Sequence, residues 1–302
     1  MKAIKRIAVV LLVLAMAAGA GFYFRPVWCS NQLTYLQESM QSVESHTTTI
    51  AGYRIHYNIV GPKNGAPVVL VHGLGGRAED WRSLYPYLVK AGYRVYMPDL
   101  PGYGRSEQPA NFSYSVHDEA EQVIYFMDAI GLKQVDLGGW SMGGGIVQHT
   151  AFRHPERIRR LMLFDAVGIW EMPKWNVGLF TPRNASELNQ LNALLEPKPQ
   201  PIPDFVARDV LRVSAENAWV IHRALEQMLN GRDATDVMLP QYKMPVLVAW
   251  GDADQIFPVS QAETIHRLAP NSELVLAKGC GHLAPGECAD QIGPKVVDFL
   301  KR

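Results

Sequence analysis

Residues Gly139-Trp140-Ser141-Met142-Gly143 follow the apolar run Val135-Asp136-Leu137 and lead straight into Gly144-Gly145-Ile146-Val147-Gln148-His149, a stretch compatible with a helix. A strand that becomes a helix over so few residues must turn sharply. Glycines two before and two after Ser141 let the neighbouring backbone pass where a Cβ would clash. The layout is therefore strand, tight turn and helix, with the Ser141 hydroxyl carried on strained backbone at a helix N-terminus.

Other apolar runs end in the same way, on residues able to do chemistry. Val68-Val69-Leu70-Val71 stops at His72-Gly73-Leu74-Gly75-Gly76, whose glycines can bring backbone N–H groups close to a ligand. Pro245-Val246-Leu247-Val248-Ala249-Trp250 ends at Gly251-Asp252-Ala253-Asp254, with Pro258 beyond, and offers an acid. Leu274-Val275-Leu276-Ala277 runs into Gly279-Cys280-Gly281-His282 and offers a base on a loop after a strand. Arg94-Val95-Tyr96-Met97 leads to Asp99-Leu100-Pro101-Gly102-Tyr103-Gly104-Arg105-Ser106, another turn after a strand.

With these five motifs in this order, the chain from about Thr47 to Arg302 resembles an α/β-hydrolase of the serine esterase and lipase type. His-Gly-x-Gly-Gly, Ser-Met-Gly-Gly and the apolar N-terminus are most similar to the membrane-anchored monoacylglycerol lipase branch. The resemblance implies a mostly parallel sheet flanked by helices, with Ser141 as nucleophile and His282 as general base. It favours Asp254 as the acid, since the family pattern is Gly-x-x-Asp with a proline four residues on, here Gly251, Asp254 and Pro258. Asp252 and Asp165 remain alternative acids, Asp99 reads as a turn residue, and His72 as a brace for its loop. The oxyanion donors would be the backbone N–H groups of Leu74 and Met142.

The pattern of elements agrees. Tyr53 to Ile59 alternates as a hairpin strand, and then strands and helices take turns, with helices near Asp80 to Ala91 and over Val116 to Ile130. Such βα repeats make a parallel sheet whose ligand crevice lies at the strands' carboxyl ends. After Leu161-Met162-Leu163-Phe164 comes a proline-rich stretch of different character, about 168 to 243, with helical patches at Glu187 to Leu195, Phe205 to Val213 and Trp219 to Leu229. It is too patterned for a loop and reads as a helical cap. Trp170, Met172, Trp175 and Phe180 open it; they either pack cap onto core or, with Trp140, line a pocket for an acyl group.

The N-terminus is different in kind. Lys2, Lys5 and Arg6 precede an uncharged apolar run from Ile7 to Phe24, closed by Arg25 and Pro26. Eighteen residues at 1.5 Å each give about 27 Å, enough to cross a hydrocarbon core. Residues 1–25 are expected to be a single-pass anchor with the N-terminus cytoplasmic and the rest exported, periplasmic in a bacterium, with 26–46 as linker and 47–302 as the hydrolase domain. The competing reading is a secretory signal cleaved after Ala18-Gly19-Ala20.

Lysine plus arginine equals aspartate plus glutamate, 29 of each, which provides no basic field for nucleic acid. No Cys/His spacing suits zinc, and no phosphate loop or dinucleotide fingerprint appears, so no metal or organic cofactor is expected. Cys280 and Cys288 could pair in an oxidising compartment or remain two buried thiols. The expected activity is cleavage of carboxylic esters, monoacylglycerol-like or of short to medium acyl chain, through an acyl-enzyme. Carbon–carbon bond hydrolysis and cofactor-free perhydrolysis use the same serine, histidine and aspartate, and a receptor on a hydrolase scaffold is the non-enzymatic alternative.

Overall fold

The computed structural model describes Met16 and residues 19–302. Eight strands form one sheet in the order β1-β2-β4-β3-β5-β6-β7-β8. β1 (Glu44–Ile50) and β2 (Tyr53–Val60) make an antiparallel hairpin, and β2 pairs antiparallel with β4 (Arg94–Pro98). The other pairs, among β3 (Pro67–Val71), β4, β5 (Val135–Trp140), β6 (Ile158–Phe164), β7 (Val246–Gly251) and β8 (Ser272–Ala277), are parallel. The hairpin starts at Glu44, ahead of the expected Thr47. It closes on Ala51 and Gly52, both with positive φ, the two-residue turn whose twist suits flanking strands.

The parallel strands bury both faces and so read as continuous apolar runs. Val69, Val71, Leu137, Leu161 and Val248 point to the side covered by α3 (Val116–Ala129), α4 (Met142–Arg153) and α7 (Val259–Leu268). Val68, Leu70, Phe164 and Ala249 point to the other, covered by α2 (Tyr85–Lys90) and α9 (Ala289–Leu300). The helix expected over Asp80 to Ala91 is split into a 3₁₀ turn, Ala78–Ser83, and α2. Pro86, which has no N–H to give back to a preceding turn, sits at the start of α2 and prevents one continuous helix.

The cap follows β6. It contains α5 (Ala185–Leu195) and α6 (Asp204–Met228). The two helical patches expected within 205–229 are one helix of 25 residues, because Ser214-Ala215-Glu216-Asn217-Ala218 between them holds neither proline nor glycine to stop it.

Residues 26–40, expected as part of a linker, form α1 (Pro26–Met40), which bridges cap and sheet domain. At its start the Val27 N–H donates to Asp209 Oδ2 of α6 at 3.0 Å, and the Tyr23 ring stacks on Phe205 with centroids 5.6 Å apart. At its end Glu38 is buried against the domain and accepts from Asn58 Nδ2 at 3.3 Å; the same amide faces Glu79 at 3.4 Å. Arg105 bonds to Glu79 and lies over the Tyr35 ring at 4.3 Å. The expected anchor, 7–24, lies mostly outside the described residues; among those described no helix is long and apolar enough to cross a membrane.

Two buried carboxyls therefore share limited positive charge at the end of α1. Burial first, and then the Glu79 charge, push Glu38 from 4.5 up to about 7. Below its ordinary value Glu38 holds a proton whether the chain is folded or not, and the site costs nothing. As pH rises between the two values the unfolded chain releases the proton while the folded chain keeps it, so the cost grows and is complete above the folded value. Glu38→Gln should raise Tm by about 2 °C or more at about pH 8 and by nothing at about pH 4, read by thermal melts at both. An equal change at the two pH values would contradict this account.

Candidate active site

Ser141 has φ 56° and ψ −120°, between the end of β5 and the first residue of α4. A Cβ on Gly139 would come within 2.2 Å of the Gly143 carbonyl oxygen, and one on Gly143 within 2.3 Å of the Val71 carbonyl oxygen. Only glycines let β3, β5 and α4 meet this closely. The Ser141 N–H donates to Phe164 O at 2.9 Å, and the Ser141 carbonyl accepts from Gly144 at 2.9 Å and Val167 at 3.1 Å, so the strained residue is held on both sides.

The other two polar groups reach Ser141 from the ends of β7 and β8. Ser141 Oγ is 2.8 Å from His282 Nε2, and His282 Nδ1 is 2.8 Å from Asp254 Oδ2. With Nδ1–H donating to the carboxylate, Nε2 is left to accept the serine proton. Asp254 Oδ1 accepts from Ile256 N at 2.7 Å and Phe257 N at 3.0 Å, which orients Oδ2 toward the histidine. Of the alternative acids, Asp252 accepts from Gly279 N at 2.7 Å and braces the neighbouring loop, while Asp165 accepts from Gly251 N at 2.7 Å.

His282 is fixed through its backbone by parts of the chain far away in sequence. Its N–H donates to Leu195 O, the last residue of α5, at 2.9 Å. Its carbonyl accepts from the Trp140 indole at 2.8 Å. Cys280 and Cys288, left open by the sequence, are joined in a disulfide that closes the loop around the histidine.

The Gly73-Leu74 segment lies against the serine. A Cβ on Gly73 would be 3.1 Å from Ser141 Cβ and 3.7 Å from its Oγ. Leu74 follows, and Met142 opens α4; neither N–H meets an acceptor among the described residues. His72 braces this loop, its Nδ1 2.8 Å from Gly73 O and its Nε2 accepting from Leu100 N at 3.0 Å.

A cavity of ≈ 370 Å³ opens beside Asp254. Trp170, Met172 and Trp175 from the cap entrance line it, facing Leu225 and Met228 of α6 and Phe257, whose ring meets His282 edge-on at 5.3 Å. Trp140 and Phe180 are outside the lining. Trp140 is committed to the His282 carbonyl, and Phe180 packs on Trp175 with centroids 5.4 Å apart. A larger cavity of ≈ 560 Å³ lies within the cap, around Thr181, Arg183 and His222, and includes none of the serine, histidine or aspartate. Among the described residues no three His, Cys, Asp or Glu side chains gather as metal ligands would.

Asp99, a turn residue by its sequence pattern, has partners that lie far off in the chain. It is fully buried, 2.7 Å from His56 Nδ1, and accepts from Ala78 N at 2.7 Å and Arg105 N at 2.8 Å. Burial works to raise its pKa, but the bond to His56 and the Arg105 amide outweigh it and hold the carboxyl below the ordinary value. The carboxylate thus fastens β2 to the turn beside the glycine loop. The Asp-x-Pro-Gly-x-Gly-x-Ser motif was its only signal in the sequence.

The alpha/beta hydrolase fold family matches residues 66–287 of this chain, and the chain belongs to it. Lipase 1 of Psychrobacter immobilis is 26% identical, covering 89% of this chain and 88% of that protein. The 2-hydroxymuconate semialdehyde hydrolase of Pseudomonas putida is 32% identical, covering 83% of this chain and 92% of that protein. Among solved structures, a membrane phospholipase A described as a bacterial virulence factor is similar with a TM-score of 0.83 and 27% identity, covering 98% of both chains.

The bridge between Cys280 and Cys288 closes a short loop, for which chain entropy alone gives about 2–3 kcal/mol of stabilisation. The double variant Cys280→Ser, Cys288→Ser should lower Tm accordingly and also lower kcat with little change in KM, because the loop it frees carries His282. A lowered Tm with kcat intact would mean that the bridge stabilises without placing the histidine.

Proposed function

We propose that this hydrolase cleaves carboxylic esters of amphiphilic acyl compounds, monoacylglycerol-like or of short to medium chain, through an acyl-enzyme. The observation that carries the reading is the continuous chain of hydrogen bonds from Ser141 Oγ through both nitrogens of His282 to Asp254, 2.8 Å at each step. A hydroxyl is a weak nucleophile until a base takes its proton. As Ser141 Oγ bonds to the ester carbonyl carbon, its proton passes to His282 Nε2, and the Asp254 carboxylate balances the imidazolium. The oxygen that gains charge is placed for the N–H groups of Leu74 and Met142, each such donor contributing about 3 kcal/mol. Collapse breaks the carbon–oxygen bond, and the alcohol leaves with the proton from Nε2. Water then repeats the cycle, giving up a proton to His282 and releasing the acid as Ser141 recovers its hydrogen.

A second reading, carbon–carbon bond hydrolysis, has its support in the 32% identity to the 2-hydroxymuconate semialdehyde hydrolase. The same serine, histidine and aspartate would serve. The cavity beside Asp254 favours esters: apart from Lys174 and Glu171 among the cap residues, and Asp254 itself, its lining carries no charge. An anionic substrate would be desolvated there without a matching set of cations, whereas an alkyl chain would gain by burial. Trp170 and Met172, 41% and 73% exposed, stand where such a chain would enter.

Ser141→Ala should abolish ester turnover and labelling by a fluorophosphonate probe. On p-nitrophenyl esters of increasing length, kcat/KM should climb roughly fourfold per carbon until the cavity is full, at about 0.8 kcal/mol per buried methylene. Trp175→Ala should flatten the slope. A flat wild-type series, with faster turnover of 2-hydroxymuconate semialdehyde than of any ester, would favour the second reading.

The anchor over 7–24 is proposed on the length and apolarity of that segment, and the Cys280–Cys288 disulfide supports export to an oxidising compartment. The full chain should sediment with membranes and resist extraction by salt, while a chain beginning at Gly21 should be soluble. Mature protein that begins at Gly21 on N-terminal sequencing would instead indicate a cleaved signal.

A further inference from the structure

Asp165 is a fully buried carboxyl that the chemistry above does not use. It stands one residue past β6 with φ 43°, a left-handed conformation that a non-glycine residue keeps only where its surroundings hold it. Its segment touches the mounting of all three active groups. Phe164 O accepts from Ser141 N, and Val167 N donates to Ser141 O. Asp165 Oδ1 accepts at 2.7 Å from the N–H of Gly251, three residues before Asp254. The loop bearing Asp254 holds the loop bearing His282 in turn, the Ala253 N–H donating to Cys280 O at 2.9 Å. Asp165 N donates to Ala249 O of β7 at 3.1 Å, while Oδ2 meets no partner among the described residues.

We infer that Asp165 is a positioning residue: its carboxyl fastens the Gly251 end of the loop bearing Asp254, which in turn holds the loop bearing His282, and its backbone sets both in register with the turn bearing Ser141. The inference rests on the serine hydrolase reading. The surroundings of Asp165 favour its uncharged form. Burial, and then the nearby charge of Asp254, raise its pKa well above the ordinary value, with Glu287 of α8 (Ala284–Glu287) adding in the same direction and the Gly251 amide opposing. A carboxyl that keeps its proton can accept from backbone amides without adding a second negative charge beside the one that balances the His282 imidazolium.

Two variants separate the parts of this role. Asp165→Asn keeps the acceptor, the shape and the neutral charge. Asp165→Gly suits the left-handed backbone and removes the carboxyl. The measurements are kcat and KM on a p-nitrophenyl ester per titrated active site, the rate of fluorophosphonate labelling at Ser141, Tm, and the pH profile of kcat/KM. Asn should stay within about threefold of wild type, whereas Gly should lose about 100-fold in kcat and in labelling rate at little changed KM, the size expected of a misplacement near 1 Å. The Asn and wild-type pH profiles should superimpose, because replacing a neutral group changes no charge. A Gly variant with wild-type kcat and labelling per titrated site overturns the inference, as does an Asn variant with a displaced profile. A wild type that takes no label overturns the hydrolase reading and this inference with it; a labelled wild type beside an unimpaired Gly variant overturns this inference alone.

Discussion

The structure depends on one crowded crossing. β5 must end, turn and become α4 within a space already occupied by the carbonyls at the end of β3, and the chain does so by putting Ser141 in a left-handed conformation and glycine at each point of contact. Strain of this kind costs on the order of 1–3 kcal/mol and survives only where neighbouring bonds over-determine it. Here the next strand and the turn after it supply them, through Phe164 O and Val167 N. The hydroxyl is therefore presented at the strands' carboxyl edge, the edge from which the loops bearing Asp254 and His282 also leave.

The cap does more than cover this edge. Leu195 at the end of α5 takes the His282 N–H, so the position of the histidine depends on the cap being seated. The cap is in turn joined to α1 through Asp209, which is nearly inaccessible and receives the Val27 N–H as well as Arg212 Nε at 2.9 Å. A buried carboxylate with an amide and a guanidinium in place is satisfied; stripped of them it would be an uncompensated charge. The N-terminal helix thus belongs to the folded domain, and a boundary drawn at residue 47 would divide an interface.

What could be read from the chain was local. Strand ends, the turn at Ser141, the glycine loop and the start of α3 at Ser115, whose hydroxyl caps the Asp118 N–H, are each encoded within a few residues. Ser141, His282 and Asp254 could be chosen as candidates because each stands just past a strand. That Asp254 rather than Asp165 meets His282 was legible only as a family pattern, since both follow strands and both are buried. What could not be read was long-range. Nothing near Glu38 in sequence announces Asn58, Glu79 and Arg105, and nothing near Trp140 shows that its indole would be taken by a carbonyl 142 residues away rather than face a ligand. Phe180 belongs to the same class as Trp175 by composition and spacing, but of the two touching rings only Trp175 lines the cavity.

Two left-handed non-glycine residues, Ser141 and Asp165, stand at the ends of neighbouring strands whose last residues, Trp140 and Phe164, are paired in register. Their bonds interlock: the backbone around Asp165 holds Ser141, and Asp165 is itself held by Ala249 and Gly251 at the end of the next strand. Neither strained turn would keep its geometry without the other, so losses at the two positions should not add as they do for distant, independent sites. The sheet therefore carries its precision sideways, strand end to strand end, from Ser141 toward Asp254 and His282. That arrangement is indifferent to the substrate. A lipase and a 2-hydroxymuconate semialdehyde hydrolase are both similar to this chain, at 26% and 32% identity, so the fold by itself leaves the substrate class open.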